Sequence, residues 1–381
     1  MKKVAFITPT YPVLSETFIQ TEVDAIKACG HEVCVLTFEI EETEQLFDYD
    51  ILQIGENVHT NMCKNIHLSG TLAAIKFVRE QNSMPKKSLF HYGMKLALQL
   101  AKMDVKHVHA HFCQHTAAHA IVAAKLLNIT CSFVAHGHDV YESAYDIEQK
   151  IIASDFVVAV CKDMQNDFNN MANGNIKLLH CGVKTDQFTM KHKTRTEQLE
   201  LIFLGRLVEQ KGIHHLIEAL APVATPLNIH LDIVGTGEME DQLKTLVKQH
   251  GLSDHISFLG AKPHDWVKDN LAIYDCLIAP FCFSQTGCVD TGPLVLKEAM
   301  AVGTPVITTN IMGCKEIVAP GTGFLVNEKN VDELRQRIKE FAQLPMMERS
   351  KMGQMARARV VEHFNAFKQA QQLSSWIENP N

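Results

Sequence analysis

The chain has 381 residues, a formal net charge of −7, 46% hydrophobic residues and 21% charged residues. This length exceeds what one hydrophobic core usually supports, so we expect two domains. The composition excludes a disordered protein, and the acidic balance gives no reason to expect nucleic acid as a partner. The eleven cysteines form no C-x-x-C pairs, which is typical of reduced thiols in a cytoplasmic protein and not of a disulfide framework.

The first residues, MKKVAFITPTYP, have two lysines before an apolar run, as a signal peptide does. The run is too short for that segment and meets Pro9 and Pro12, so the first strand of a domain is the better interpretation. No stretch is long enough to span a bilayer. The sequence therefore predicts a soluble protein and leaves docking on a membrane surface open.

Short apolar runs alternate with longer amphipathic segments. Near-continuous apolar strands favour sheets buried on both faces, and helices between them favour parallel, right-handed crossovers. The pattern predicts an α/β protein of two doubly wound, Rossmann-like units, and ligands of such paired domains bind in the cleft they face. The predicted strands are Val4–Thr8, Glu32–Phe38, Val105–Ala110, Ser132–Ala135, Phe156–Val160, Ile176–His180, Leu199–Leu204, His230–Val234, Ile256–Leu259, Cys276–Ala279, Pro305–Thr308 and Gly323–Val326.

A polar, aperiodic segment, QFTMKHKTRTEQLE at 187–200, predicts the seam between the domains. We therefore expect domains over residues 1–187 and 188–363. The segment Arg349–Ile377 contains few helix breakers and is predicted to be helical. Its last part, 364–381, is expected to pack back on the first domain.

Charge is distributed unevenly in the first domain. Residues 1–61 hold three Lys/Arg against eleven Asp/Glu, whereas residues 64–106 hold eight Lys/Arg against two Asp/Glu. Two solvated faces would explain this. Alternatively, the basic segment is a helix that meets anionic lipid headgroups or a diphosphate-linked acceptor.

The second domain opens with FLGRLVEQKGIHHLIEAL. A strand is predicted to end at Leu204, Gly205 makes the turn, and Arg206 and Lys211 lie on a short loop before a helix. Two cations at the carboxyl end of a strand, beside a helix N-terminus, suit a diphosphate leaving group. They would stabilise the negative charge that grows when a sugar–phosphate bond breaks. The alternative is a pair of ordinary surface cations.

Asp290 and Glu298 stand eight positions apart in VDTGPLVLKEAMA. We expect Glu298 in the first turn of the helix LVLKEAMA and Asp290 in the loop before it. Carboxylates accept hydrogen bonds from sugar hydroxyls, and free N–H groups at a helix start can bind phosphate or sugar oxygens. A helix-capping role for Glu298 is the alternative.

These segments carry a family resemblance. The motifs R-L-V-E-x-K-G, V-G-x-G-x, F-L-G, E-A-M-A-x-G-T-P-V-I, E-I-V and G-F-L-V occur in this order, and they resemble glycosyltransferase family 4, a group of retaining, metal-independent enzymes of GT-B fold. The resemblance covers essentially the whole chain. YPVLSETFIQTEVDAI, HVHAHF and AHGHDVY look like members that build bacterial exopolysaccharide, of the colanic-acid type.

The resemblance makes 188–363 the nucleotide-sugar-binding domain. Arg206 and Lys211, after the Gly205 turn, would bind the donor diphosphate, and Glu298 would hold the ribose hydroxyls. Asp290 stands where the family has a glutamate that contacts the donor sugar, so the carboxylate is one methylene shorter here. The remaining donor-binding residues offer backbone N–H groups or lie near the nucleobase, and they are Thr291, Gly292, Leu294, Gly260 and Ala261.

In the first domain, which would bind the acceptor, His136 matches the family histidine that meets the donor sugar near the reacting centre. Asp139 would orient His136 or the neighbouring loop. Ser15, Glu16 and Thr17 would open a helix toward the cleft and help to bind acceptor or diphosphate. A capping role for Glu16 is the competing interpretation.

Histidines at 107, 109, 111, 115 and 119 form a separate cluster. Alternation places the first three on one strand face, and i, i+4 spacing aligns positions 111, 115 and 119 on a helix. No cysteine or carboxylate completes a metal site in the sequence, and the resemblance implies none. We expect no metal, and we expect His111 to line the cleft.

The resemblance therefore implies retaining transfer of a hexose from a UDP- or GDP-linked sugar to a glycan acceptor carried on a polyprenyl diphosphate. No cofactor is expected, and the enzyme would lie in the cytoplasm or on the inner face of the cell membrane. Asp290 leaves open a nucleotide-sugar-binding protein that has lost catalysis. A sugar-nucleotide epimerase of GT-B fold is a further alternative, whereas a dehydrogenase is disfavoured because no G-x-G-x-x-G follows the first strand.

Overall fold

A computed structural model of the chain describes residues 1–13, 16–43, 45–55, 65–191 and 198–380. The chain forms two compact units. Unit 1 comprises Met1–Gly182 and Ala366–Asn381, and unit 2 comprises Val183–Asn365. Each unit is built around its own parallel sheet.

The sheet of unit 1 has seven parallel strands in the order β3-β2-β1-β4-β5-β6-β7. Phe6 of β1 pairs with Val35 on one side and with His109 on the other. The chain adds β2 and β3 on one side of β1 and then crosses to add β4 on the other side. The direction in which strands are added therefore reverses between β1 and β4, which is a topological switch point. The strands are β1 (Lys3–Tyr11), β2 (Glu32–Ile40), β3 (Asp50–Gln53), β4 (His107–His111), β5 (Thr130–Ala135), β6 (Phe156–Ala159) and β7 (Ile176–Leu178).

Helices cover this sheet. The central one, α4, is rich in alanine, which favours helix. Its small side chains let it pack against α2 and α3 with nearly all of its residues buried, and it ends at Asn128 in the left-handed conformation. The helices of unit 1 are α1 (Thr17–Ala28), α2 (Leu68–Glu80), α3 (Lys86–Lys102), α4 (His115–Leu127), α5 (Ile147–Ala153), α6 (Lys162–Met171) and α14 (Ala366–Glu378), which packs against α1.

The sheet of unit 2 has six parallel strands in the order β10-β9-β8-β11-β12-β13. Its strands are β8 (Leu199–Leu204), β9 (Ile229–Val234), β10 (Ile256–Gly260), β11 (Cys276–Ala279), β12 (Val306–Thr309) and β13 (Gly323–Val326). Its helices are α7 (Ile213–Leu220), α8 (Glu240–Gln249), α9 (His264–Asn270), α10 (Leu294–Ala301), α11 (Cys314–Ile317), α12 (Val331–Gln343) and α13 (Met346–His363).

One hydrophobic core of unit 2 lies between the sheet and the helices α7, α8 and α12. Leu201, Phe203, Leu216, Leu231 and Ile338 are all buried in it. Apolar residues recur at helical spacing along α7 and α12, so one face of each helix meets the strands. This packing fixes the carboxyl ends of the strands relative to the helix N-termini that follow them.

The predicted doubly wound α/β architecture is confirmed, and every predicted strand is present within a few residues. Two details differ. The short edge strand β3, with the sequence DILQ, was missed. The predicted terminal helix is two helices, α13 and α14, because Asn365 between them forms a bridge with Val183. Among the described residues, no helix combines the length and the apolar character needed to cross a bilayer.

Candidate functional site

The carboxyl ends of β8, β9 and β10 meet at one edge of the sheet of unit 2. The Gly205 N–H donates to the Val234 carbonyl at 3.0 Å, and the Gly235 N–H donates to the Gly260 carbonyl at 2.9 Å. The loops that leave these strands, with Arg206 after β8 and Ala261 after β10, therefore begin side by side. Both side chains are exposed.

Lys211 closes the loop that begins at Arg206. It is the last residue of a single 3₁₀ turn, Glu209–Lys211, and α7 begins after Gly212. Its Nζ lies 2.7 Å from Oδ1 of Asp290 and 5.1 Å from the centre of the Phe281 ring. The two charged side chains are 14% and 22% exposed. Lys211 and Asp290, predicted from separate motifs, thus lie in one partly buried pair.

The loop from Asp290 to the start of α10 is held by its carbonyl groups. The Thr291 carbonyl accepts from the Gly313 N–H at 2.9 Å, and the Gly292 carbonyl accepts from Lys297 Nζ at 3.3 Å. In a trans peptide the C=O and the next N–H point in opposite directions. The Gly292 N–H therefore points away from Gly313.

Helix α10 starts after Pro293 at its N-cap position, with Leu294 as its first residue. The first turn of a helix has N–H groups without intrahelical acceptors. The backbone at this point thus offers donors to an anion or a hydroxyl oxygen, next to the Lys211–Asp290 pair.

The predicted place of Glu298 in the first turn is wrong. Glu298 is the fifth residue of α10, and 3.6 residues make a turn, so it lies in the second turn. The capping alternative also fails, because α10 has no acidic residue in its first turn and no side-chain cap. Glu298 Oε1 instead lies 3.2 Å from Nε2 of His264, the first residue of α9. Glu298 is 8% exposed.

In unit 1, His111 ends β4 and His136 directly follows the adjacent strand β5. Their rings are parallel, with centres 5.3 Å apart, and His111 Nδ1 lies 3.1 Å from His136 Nε2. The Phe18 ring lies 4.4 Å from the His136 ring, and the Phe112 ring lies 4.9 Å from it. Burial, and then the nearby His111, hold the pKa of His136 well below its usual value. The imidazole is therefore neutral at pH 7.

Asp139 binds the backbone around His136 and not its ring. Oδ1 accepts from the N–H groups of His136 and Gly137, both at 2.9 Å, and Oδ2 accepts from the Cys113 N–H at 2.7 Å. The carboxylate is fully buried. It ties the loop after β5 to the loop after β4.

The segment after β1 leads into α1, as predicted. Thr17 is the first residue of α1 and Glu16 occupies the N-cap position, but the Glu16 side chain makes no capping hydrogen bond. The capping interpretation of Glu16 is therefore wrong. Ser15 lies outside the described residues.

A groove of about 530 Å³ adjoins the carboxyl ends of β1 and β2. Three carboxylates line it, and the lining residues are Pro9, Thr10, Val13, Glu16, Glu39, Ile40 and Glu41. Carboxylates and a threonine hydroxyl can accept hydrogen bonds from sugar hydroxyls.

The histidine cluster differs in part from the prediction. His107, His109 and His111 lie on one face of β4 and are buried, as expected. His111 is not on a helix with His115 and His119, because α4 begins only at His115. A carboxylate does reach the cluster, contrary to the prediction.

That carboxylate is Glu22 of α1, and its Oε1 lies 3.2 Å from Nε2 of both His109 and His111. Burial would raise the pKa of Glu22, but His111 and His109 hold it below its usual value. These three side chains form a group that could hold a metal ion, with donor atoms within 4.8 Å of one another.

The sequence did not single out Glu22, His264 or Lys297. Glu22 and His264 each contact a predicted site residue, and Lys297 is a fully buried cation held against the loop before α10. The signal available for Lys297 is its place next to Glu298. Glu22 and His264 have no local signal, because their partners are distant in sequence.

Two families match consecutive parts of the chain. "Glycosyltransferase Family 4" matches residues 15–187, and "Glycosyl transferases group 1" matches residues 184–359. The chain is similar to the putative colanic acid biosynthesis glycosyltransferase WcaL of Salmonella typhimurium, with 27% identity over 99% of both chains. It is also similar to the amylovoran biosynthesis glycosyltransferase AmsK of Erwinia amylovora, with 23% identity over 99% of both chains.

Among solved structures, Anabaena Alr3699/HepE in complex with UDP and glucose has the same fold. The TM-score is 0.73 with 17% identity, over 99% of this chain and 100% of that one. The two parallel-sheet units and this likeness confirm the predicted GT-B class.

Proposed function

Because the chain belongs to glycosyltransferase family 4, we propose that it transfers a hexose, with retention, from a nucleotide-diphosphate sugar to a lipid-linked glycan. The acceptor glycan belongs to exopolysaccharide or another cell-surface polysaccharide. Similarity to WcaL and AmsK along 99% of the chain supports this part of the proposal.

The observation that carries the proposal is the pairing of Lys211 with Asp290 beside the start of α10. Lys211, Arg206 and the free N–H groups of α10 bind the diphosphate in this proposal. The Asp290 carboxylate binds the hexose, and Glu298, steadied by His264, binds the ribose. The loops after β10, with Gly260 and Ala261, receive the nucleobase.

In the proposed reaction the bond between the anomeric carbon and the diphosphate oxygen breaks. A new bond forms on the same face to the acceptor hydroxyl oxygen, and the departing diphosphate takes the acceptor proton. Negative charge grows on the diphosphate as the bond breaks, so preorganised cations lower the barrier more than they stabilise the bound donor. No enzymic nucleophile is part of this mechanism.

In this proposal unit 1 contacts the transferred sugar and binds the acceptor. The neutral imidazole of His136 exchanges a hydrogen bond with a hydroxyl of the hexose, and the buried Asp139 keeps its loop in place. The acidic groove at Glu16, Glu39 and Glu41 accepts hydrogen bonds from the acceptor glycan.

The test is incubation of the purified protein with UDP- and GDP-hexoses and a polyprenyl-diphosphate-linked glycan, while nucleotide release and glycan mass are followed. Nucleotide release that requires the acceptor, with an α-linked product from an α-linked donor, is expected. Alanine at Arg206 or Lys211 should each slow release by ~100- to 1,000-fold if each acts like a lost oxyanion donor, and alanine at Glu298 should also slow release because it removes the ribose contact. Unchanged rates in all three variants would reject the assignment of the site.

The departure at Asp290 favours one rival, a protein that binds nucleotide sugars without transferring them. That rival predicts donor binding without turnover by any acceptor, and recovered transfer in Asp290→Glu. Release of free hexose or of an altered donor in the absence of acceptor would instead indicate hydrolysis or epimerisation.

A basic and apolar surface on α2 and α3 supports contact with an anionic membrane. Leu68 and Leu72 are 80% and 63% exposed on α2. Lys76 and Arg79 are exposed on the same helix, and Lys86, Lys87 and His91 are exposed at the start of α3. Exposed leucines among cations suit the interface of an anionic bilayer, where each Lys or Arg contributes about 1 kcal/mol. Residue 64 of the predicted basic segment lies outside the described residues.

Cosedimentation with vesicles tests the membrane contact. Binding to phosphatidylglycerol vesicles, weak binding to phosphatidylcholine vesicles, and loss of binding in a Lys86→Glu/Lys87→Glu variant are expected. Equal binding of the variant and the parent protein to anionic vesicles would reject this surface.

A further inference from the structure

A line of polar side chains connects helix α1 to His136. Glu22 Oε1 lies 3.2 Å from Nε2 of His111, and His111 Nδ1 lies 3.1 Å from Nε2 of His136. The same Glu22 oxygen lies 3.2 Å from Nε2 of His109. His109 and His111 are fully buried. His111 thus lies between Glu22 and His136, the histidine that contacts the sugar in the proposed function.

One oxygen of Glu22 contacts two imidazoles of this cluster. Among the described residues, Glu22 Oε1 and the Nε2 atoms of His109 and His111 are buried and have no hydrogen-bond partner apart from one another. An ionised carboxylate only accepts hydrogen bonds, so both Nε2 atoms satisfy it best by carrying their protons. Burial lowers the pKa of His111, so its imidazole is neutral and carries one proton.

A proton on Nε2 of a neutral His111 leaves Nδ1 as an acceptor. The atom at 3.1 Å from it, His136 Nε2, must then donate. His136 is neutral as well, so its Nδ1 carries a lone pair. The direction of every hydrogen bond along the line follows from the charge at Glu22.

The other branch of the cluster agrees with this direction. His109 Nδ1 lies 2.7 Å from Ser132 Oγ, which also lies 2.8 Å from Nε2 of His107. With its proton on Nε2, His109 accepts from the Ser132 hydroxyl, and that hydroxyl oxygen accepts from His107. Nδ1 of His107 then accepts from the Thr130 hydroxyl at 2.8 Å, which requires this hydroxyl to donate to His107 and not to the Lys106 carbonyl at 3.3 Å.

We propose that Glu22 is a positioning residue that acts on His136 through His111, so that His136 presents Nδ1 as a hydrogen-bond acceptor to a hydroxyl of the transferred sugar. The inference rests on the proposed function for the role of His136. It concerns orientation and tautomer, as the carboxylate partner of a catalytic histidine does in other enzymes.

A metal ion between Glu22, His109 and His111 would have the opposite effect. Metal at Nε2 of His111 would put the proton on Nδ1, and His136 Nε2 would become the acceptor. The described residues offer three donors here, whereas a closed zinc site takes four ligands. The cluster therefore suits hydrogen bonding better than ligation.

The test combines Glu22→Gln with ¹⁵N-histidine NMR of the full chain. In the parent protein the two-bond ¹H–¹⁵N couplings should place the His136 proton on Nε2. In Glu22→Gln the amide can donate to His111, so the Nε2–H form of His136 should lose its dominance. Transfer should slow by about 10- to 100-fold, the range found when an outer partner of a metal-bound histidine is removed. The affinity for UDP should not change, because unit 2 binds the nucleotide.

Asp24→Asn is the matched control, since it makes the same change of charge on the same helix, two residues after Glu22 and so on a different face. It should keep both the tautomer and the rate. If Glu22→Gln keeps the parent tautomer of His136 and the parent rate, the inference is overturned. It is also overturned if the parent protein binds one zinc ion tightly per chain and carries the His136 proton on Nδ1. The variant His136→Ala separates this inference from the proposed function. If His136→Ala transfers hexose at the parent rate, the proposed role of His136 fails. If His136→Ala transfers slowly while Glu22→Gln transfers at the parent rate, only the role of Glu22 fails.

Discussion

Lys211 Nζ lies 2.7 Å from Asp290 Oδ1, although the two residues are 79 positions apart in the chain. The pair joins the loop after β8 to the loop before α10. Without substrate, the carboxylate neutralises the cation that the proposed function assigns to the diphosphate. Substrate must therefore compete with Asp290 for Lys211.

This competition predicts opposite effects of two substitutions on the binding of free UDP or GDP. Asp290→Asn removes a negative charge beside the diphosphate and should tighten binding several-fold. Lys211→Met removes the cation and should weaken binding by about 10-fold or more, since a charged hydrogen bond contributes about 1.5–3 kcal/mol. Isothermal titration calorimetry with UDP and GDP measures both.

Transfer should respond differently from binding. Both variants should slow hexose transfer, because Asp290 contacts the sugar and Lys211 contacts the diphosphate in the proposed reaction. If the two substitutions change nucleotide affinity in the same direction, the pair does not lie at the diphosphate.

Glu298 should determine the preference for ribose over deoxyribose. It is nearly buried and lies 3.2 Å from His264, so one of its oxygens is free to accept from ribose hydroxyls. Glu298→Gln should weaken the binding of UDP by about 10-fold or more and leave the binding of 2′,3′-dideoxy-UDP almost unchanged. His264→Gln serves as the comparison and should have a smaller effect, because it removes only the support of Glu298. Equal losses for both nucleotides in Glu298→Gln would place the carboxylate elsewhere.

The strand pattern was predictable because it depends on local composition. Buried parallel strands are short apolar runs, and β8, β11 and β13 have the predicted bounds. The edge strand β3 escaped prediction because its residues Asp50–Gln53 are half-buried or exposed and only partly apolar. Hydrophobic burial, which the prediction depends on, is weak at such an edge.

The site was predictable only where its residues lie in one short segment. Arg206 and Lys211 follow one strand and Asp290 precedes one helix, so their places could be inferred from the order of elements. Glu22 appears in sequence as one more polar residue of α1. Its contact with His111 exists because β4 pairs beside β1, and this strand order cannot be inferred from α1 or β4 alone.

Acid should destabilise the fold through buried neutral histidines, and His119 allows this to be measured. Burial lowers the pKa of His119 to about 4, and the side chain is 5% exposed. In the unfolded chain the pKa is about 6.5. The unfolded state therefore binds a proton first as the pH falls below about 6.5, so stability is lost on the acid side.

His119→Asn removes this titration and keeps a donor for the His115 carbonyl, which His119 Nδ1 contacts at 2.6 Å. Between pH 8 and pH 5 the free energy of unfolding should fall by about 2 kcal/mol less in the variant than in the parent protein. Urea denaturation at the two pH values gives this difference. The comparison at pH 8 measures the packing cost of the substitution alone, and an equal fall in both proteins would contradict the prediction.

Gly212 should be the least replaceable glycine of the Lys211 loop, and Gly251 provides a matched control. The two have nearly the same left-handed backbone, with φ of +67° and +66°. A Cβ at Gly212 would lie 1.9 Å from the Pro280 carbonyl oxygen, whereas a Cβ at Gly251 would meet no atom within 4 Å. Gly251→Ala should therefore show only the cost of the left-handed conformation, about 1 kcal/mol.

Gly212→Ala should lose about 2–4 kcal/mol of unfolding free energy, because overpacking adds to the same conformational cost. It should also weaken UDP binding, since Gly212 follows Lys211 and the backbone must shift away from Pro280. Urea denaturation and calorimetry of both variants separate the two contributions. Equal stability of Gly212→Ala and Gly251→Ala would mean that the segment at Pro280 moves aside without cost. The close contact between Gly212 and Pro280 would then not hold Lys211 in place.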